Sequence, residues 1–229
     1  MHNTIRIGQV LAVNAYPGNY TLLRITAPEC ARRIQPGQYL EVNSQPWPVM
    51  RAGPKWVDCL QRSIQNFSAG TEVRVAGPLG TAFVIESATP RALLLGGESG
   101  IAPLVFLTDI LRNRRPRVKP LLLLGSERPF PFKPQPSRIM IPGLPGWVIA
   151  AMPLLEDWSV PSRLASSREL PGCFNGGLAE LARGWLDVSQ GVADVTVYAC
   201  GPADVLAAAR QLAAAYGLPC QTVAGIPGS

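Results

Sequence analysis

Alternation of apolar and polar positions dominates the first third of the chain. TIRIGQVLAVNAY and YTLLRITA follow a period of two and are rich in β-branched residues, so each predicts a half-buried strand, with Pro17-Gly18-Asn19 as the turn between them. PGQYLEVN predicts a third strand after a Pro36-Gly37 turn, and KWVDCLQRS and TEVRVAGP predict two more. Short strands at this spacing, with few helix candidates, predict a small antiparallel barrel.

The pattern changes near Ala88–Arg91. From Ala92 onward continuous apolar runs alternate with amphipathic ones. Leu93–Leu95 and Val118–Leu124 predict buried strands, with a helix over Pro103–Leu111 between them; GWVIAAM predicts a third strand. GGLAELARGWLDV predicts a helix and DVTVYAC a strand. PADVLAAARQLAAAYG predicts an Ala-rich helix, with Pro202 in its first turn and Gly217 at its end. This is the βαβ pattern of a parallel sheet covered on both faces. SERPFPFKPQPSR, rich in proline, predicts an irregular surface loop.

Composition narrows the chemistry. With 229 residues, 47% hydrophobic and 16% charged, the chain has a globular composition and room for a real core. No apolar run approaches the ~20 residues of a membrane span, and the N-terminus lacks an apolar signal segment, so a cytoplasmic location is expected. The formal charge of +6 comes in part from RNRRPRVK, Arg112 to Lys119. That run follows a predicted helix, whose C-terminal dipole favours cations, and no aromatic residues interleave with it; nucleic acid is not an expected partner. Cys30, Cys59, Cys173, Cys200 and Cys220 form no C-x-x-C pair and are expected to be reduced and mostly buried. The single histidine, His2, excludes Ser-His-Asp and Cys-His catalysis and any multi-histidine metal site.

LLLGGESGIAPL, residues 93 to 104, places a glycine-rich turn between a strand and a helix. Such a junction favours an anion such as a phosphate. Five stretches in order resemble the ferredoxin–NADP reductase superfamily. They are PGQYLEV (Pro36–Val42), QPWPV (Gln45–Val49), GPLGTAF (Gly77–Phe83), GGESGIAP (Gly96–Pro103) and YACGP (Tyr198–Pro202). GPLG and the modest length are most similar to the electron-transfer subunit of the two-subunit dihydroorotate dehydrogenases. The resemblance implies an FAD-binding-type barrel over residues 1–88 and an NAD(P)-binding α/β domain over residues 89–229. It implies a flavin site at Trp47, Pro48 and Val49, closed by the turn Gly77, Pro78, Leu79 and Gly80, with Trp47 against the flavin ring. It implies a nucleotide turn at Gly96, Gly97, Ser99 and Gly100, facing Gly201 and Pro202, with Cys200 near the nicotinamide. A small buried residue at a strand end is the other reading of Cys200.

The chain also departs from that family. Gln45 stands where the family has an arginine that pairs with the flavin diphosphate, and Pro48 where it has a hydroxyl residue. Arg51 falls on the Gln45 face of an ideal strand, ~20 Å along it, too far to replace that arginine. SIQNFSAGTEVRV lacks the family's Gly-x-Gly-Thr turn. Weak FAD binding is therefore expected. The family's C-terminal cysteine cluster is missing, and Cys220 alone cannot supply the four ligands of a two-iron centre, so no iron–sulfur cluster is expected. In the nucleotide domain, Ser126 and Arg128 follow the second strand. Arg128 suits a 2′-phosphate and Glu127 a free ribose, which leaves NADH and NADPH undecided. Glu98 stands where the family often has glycine. It stabilises the helix N-terminus, or it turns inward and competes with the ligand; an outward orientation is expected. Two functions fit: a flavin-dependent NAD(P)H oxidoreductase passing electrons to a partner protein or subunit, or a binding or structural subunit that keeps the fold without tight flavin binding.

Overall fold

The computed structural model of the protein describes residues 5–63, 66–85, 90–114 and 117–226. His2 and the expected domain boundary at 88/89 lie outside these residues. Among the described residues, β1 (Arg6–Tyr16), β2 (Tyr20–Thr26), β3 (Tyr39–Val42), β4 (Gln45–Ala52), β5 (Trp56–Arg62) and β6 (Glu72–Leu79) close an antiparallel barrel. Its strand order is β1-β2-β5-β4-β3-β6. The short helix α1 (Pro28–Ala31) follows β2. Alternate residues point inward, so Leu23, Ile25, Leu40, Val42, Trp47, Val49, Val57 and Cys59 fill the barrel. The expected antiparallel barrel is present, with one strand more than the alternation predicts. That strand, β4, contains Pro46 and Pro48, which mask a strand in the sequence because proline donates nothing to a ladder.

The second half carries a parallel sheet in the order β11-β8-β7-β12-β13. Its strands are β7 (Arg91–Gly96), β8 (Lys119–Gly125), β11 (Ser162–Ala165), β12 (Val195–Gly201) and β13 (Cys220–Ala224). Helix α2 (Ile101–Arg112) covers one face; α4 (Leu178–Val188) and α5 (Ala203–Ala215) cover the other. Leu94, Leu122 and Leu124 pack toward α2, whereas Leu93, Leu95, Leu121 and Leu123 pack toward α4 and α5. Each fully buried leucine of this kind contributes ~1.5–3 kcal/mol of apolar burial. Among the described residues no helix is long and apolar enough to cross a membrane.

Two expectations need correction here. GWVIAAM does not enter the parallel sheet. Only β10 (Ala150–Ala151) is extended there, paired with β9 (Gln135–Pro136), before the short helix α3 (Pro153–Asp157). The sheet edges are instead β11 and β13, which are short and polar enough to escape a search for apolar runs. Arg163 of β11 is 5% exposed yet keeps hydrogen bonds: Nε donates to the Val148 carbonyl, Nη1 to that of Ser162 and Nη2 to that of Ile139. The proline-rich segment is not wholly a surface loop either. Phe130 and Phe132 are buried and stacked with centroids 5.4 Å apart.

The barrel and the sheet share one core. Tyr20, Leu22, Met50 and Leu60 on the barrel's outer face pack with Leu104, Leu107 and Leu111 of α2. A bulge in β4 between Val49 and Arg51 turns Arg51 off the Gln45 face. Arg51 then stands between Trp56 of the barrel and Trp158 beyond α3, with Arg112 on Trp158 as well. These cation–π contacts bridge the two halves.

Candidate functional site

One cavity lies where barrel and sheet meet, and a second lies beside it in the sheet half. The first, of about 440 Å³, is lined by Gly37, Gln38, Tyr39, Pro46, Pro48, Gly80, Thr81 and Pro103 and by residues 222–226. Register explains its walls. Tyr39 pairs with Pro48 and Glu41 with Pro46, so these four share the outer face of the barrel. Leu40 pairs with Trp47, and both point inward. Trp47 is 1% exposed and meets Phe67 edge-on at 5.6 Å. Trp47 therefore lines neither cavity, although a flavin-ring contact is expected of it, and Val49, 0% exposed, is likewise inside the barrel. Pro48 is the one member of that trio on the cavity wall. Pro46 stands beside it, together with Tyr39, which the motif reading did not single out. The parity of PGQYLEV was the available signal, because Leu40 and Val42 already mark the inner face. Of the closing turn, Gly80 lines the cavity and lies against the Tyr39 ring. Leu79 pairs with Tyr39, while Gly77 and Pro78 continue β6 behind it.

The second cavity, of about 740 Å³, opens at the C-terminal ends of β7, β8 and β12. This is where open α/β sheets bind ligands. Gly97, Ser99, Ser126, Arg128, Gly201 and Pro202 all line it, as expected; Gly96, Gly100 and Cys200 do not. The glycines serve packing as much as approach. A Cβ on Gly97 would lie 2.6 Å from the Pro202 ring, and one on Gly100 only 1.9 Å from the Cys200 carbonyl oxygen. The Gly97 N–H donates to that same oxygen at 2.9 Å. Cys200 thus holds the turn through its backbone. Its side chain is 0% exposed, and burial pushes its thiol up to about 12. The side chain does not reach either cavity, so the nicotinamide-positioning role expected of it is not what the geometry provides.

Glu98 takes neither orientation anticipated for it. It leans across to the loop after β8, where the Ser126 hydroxyl lies 3.1 Å from Oε1 and Arg128 Nε 3.8 Å from Oε2. The Ser126 oxygen also accepts the Arg128 N–H at 3.0 Å. The N–H groups of Glu98 and Ser99 donate to nothing among the described residues. The cleft also receives Gly176 and Gly177 before α4 and Ala203 and Asp204 at the start of α5. Three helix N-termini and two free N–H groups suit a phosphorylated ligand, and the residues present fit a dinucleotide.

The fit to a flavin is divided. The first cavity has the size and the flat apolar walls for an aromatic ring system. It offers the diphosphate no charged partner among its lining residues, and the Glu41 carboxylate shares the outer face with Pro46. The ring fits; the family's diphosphate anchor is absent.

No protein-family model and no curated protein matches the sequence. Solved structures do match its shape. The flavohem-like FAD/NAD-binding domain of nitric oxide dioxygenase from Vibrio cholerae O1 biovar El Tor is similar at 13% identity and a TM-score of 0.72, over 96% of this chain and 98% of that one. A ferredoxin NADP+ reductase from Neisseria gonorrhoeae, solved with bound FAD and NADP, is similar at 13% identity and TM-score 0.68, over 97% and 99%. The Amycolatopsis cytochrome P450 reductase GcoB is similar at 17% identity and TM-score 0.72, over 100% of this chain and 72% of that one. The chain has the two-domain fold of ferredoxin–NADP reductase-like proteins.

Proposed function

We propose that the protein is an NAD(P)H-dependent oxidoreductase module that passes electrons through a loosely held flavin to a redox partner protein or subunit. One observation carries this reading: Ala224, Gly225 and Ile226 line both cavities, so the ring-sized cavity and the nucleotide cleft share a wall. A ring in one would lie near a dinucleotide in the other, and hydride transfer would need the two rings to meet in contact at the edge formed by residues 224–226. A flavin bound in the first cavity would supply the acceptor for a nicotinamide hydride. The chain supplies the rest. Pro46, Pro48 and Tyr39 form one wall for the ring and Pro103 another. The free N–H groups of Glu98 and Ser99 would donate to a phosphate, and Gly201 and Pro202 floor the cleft.

Electrons would leave to a partner without an iron–sulfur centre held by this chain. Among the described residues no three histidine, cysteine or acidic side chains are placed to hold a metal ion together, and the cysteines are free and mostly buried. The missing diphosphate anchor favours a second reading, a binding or structural subunit. Anaerobic mixing of the protein with FAD and NADH separates the two. The oxidoreductase reading expects flavin absorbance to bleach faster with protein than without, in proportion to protein. Rates no greater than the protein-free control would leave the structural reading.

A further inference from the structure

We infer that Glu98 makes the nucleotide cleft select a dinucleotide with a free ribose, NADH, over one bearing a 2′-phosphate, NADPH. The inference rests on the reading that this cleft takes a nicotinamide dinucleotide, and it names the device that chooses between the two forms.

Arg128 and Ser126 are the groups after β8 that would hold a 2′-phosphate, and the Glu98 carboxylate lies beside both. Its Oε2 stands 3.8 Å from Arg128 Nε and its Oε1 3.1 Å from the Ser126 hydroxyl. That hydroxyl also lies 2.7 Å from the Arg128 carbonyl and accepts the Arg128 N–H, so its hydrogen bonds are spent within the loop. Glu127, the other candidate reader of the ribose, also lines the cleft, but its carboxylate accepts the N–H and the hydroxyl of Ser167. Glu98 is the cleft carboxylate that lies against Arg128.

Charge points the same way. Glu98, Glu127 and Asp204 line the cleft against one guanidinium, that of Arg128. A phosphate monoester adds about −1.5 to −2. It would enter an already acidic site and compete with Glu98 for Arg128. A ribose diol adds no charge and donates hydrogen bonds to a carboxylate. Glu98 is also well placed to stay. Its side chain is 22% exposed, and it sits at the N-terminal end of α2, where the helix dipole favours a negative charge.

Calorimetric titration of the full chain with NADH and with NADPH tests the assignment, with Glu98→Gln as the near-isosteric variant. The expected result is NADH tighter than NADPH by at least about tenfold, equivalent to ~1.4 kcal/mol, with that ratio falling by about tenfold or more in Glu98→Gln. Arg128→Ala should change the ratio little in the parent chain and restore the NADH preference in the Glu98→Gln background, because only there is Arg128 free to meet a phosphate. Binding of NADH with a ratio that Glu98→Gln does not move would overturn the role of Glu98 and leave the nucleotide reading intact. Binding of neither nucleotide by parent or variant would overturn both.

Discussion

Replacing Gly100 by alanine tests why the turn is made of glycine. Gly100 has φ −93° and ψ −8°, a backbone that alanine adopts without strain. In open space the change would stabilise by ~0.4–1 kcal/mol through the unfolded chain. Here the new Cβ would sit 1.9 Å from the Cys200 carbonyl oxygen and 2.4 Å from its carbon. An ordinary carbon–oxygen contact is about 3.3 Å, so turn and strand must part by roughly 1.4 Å. Overpacking of this kind costs ~1–3 kcal/mol, and the Gly97 N–H bond to Cys200 is stretched as well, for ~0.5–1.5 kcal/mol more. The net expectation is a loss of about 0.5–4 kcal/mol, with a central value of about 2. In a chain of this size the central value lowers the melting temperature by about 4–8 °C. Gly146→Ala is the control, since no atom lies within 4 Å of its Cβ; it should melt within about 2 °C of the parent. Differential scanning calorimetry of the three proteins decides. Melting of Gly100→Ala alongside the control would refute the packing account and return these glycines to ligand approach alone.

Burial holds the Cys200 thiol at about 12 and raises that of Cys59 too. Both folded values lie above the unfolded one of ~8.5, so their contribution is whole below about pH 8.5 and is lost as pH rises toward 12, by up to ~1.4 kcal/mol per pH unit for each thiol. Denaturant midpoints that stay flat between about pH 8 and 10.5 would contradict this. Arg163→Met should destabilise by ~2–4 kcal/mol by removing the donor to three carbonyls, with Arg163→Lys recovering only part of it in urea melts. Riboflavin and FAD should bind within about tenfold of each other, because a charged phosphate contact, worth ~1.5–3 kcal/mol, is missing; fluorescence titration showing FAD a hundredfold tighter would point to an anchor elsewhere.

Much of the fold was legible because its signals are local. Alternation in β1, β2 and β5, and the apolar runs of β7 and β8, each announce their own element. The junction at residues 93–104 was legible for the same reason, as a strand, a glycine turn and a helix in sequence. What stayed hidden depends on partners far along the chain. The inward face of Trp47 is set by its pairing with Leu40, and the turn of Arg51 onto Trp56 and Trp158 by a bulge. β11 looks polar because Arg163 satisfies itself on carbonyls of residues 139–162. The lean of Glu98 follows from Ser126 and Arg128, 28 and 30 residues on. No period in the sequence encodes a side chain's choice among neighbours brought together by a sheet.

Single-turnover reduction of a flavin by NADH tests the central claim most directly. The protein, saturated with FMN or FAD, is mixed anaerobically with NADH carrying hydrogen or deuterium at the transferring carbon, and flavin absorbance is followed in a stopped-flow instrument. If rings held in the cavity and in the cleft meet at the edge formed by residues 224–226, bleaching is protein-dependent, saturates with NADH and slows with deuterium. A protein that binds both ligands yet leaves the rate at that of free solution would contradict the account.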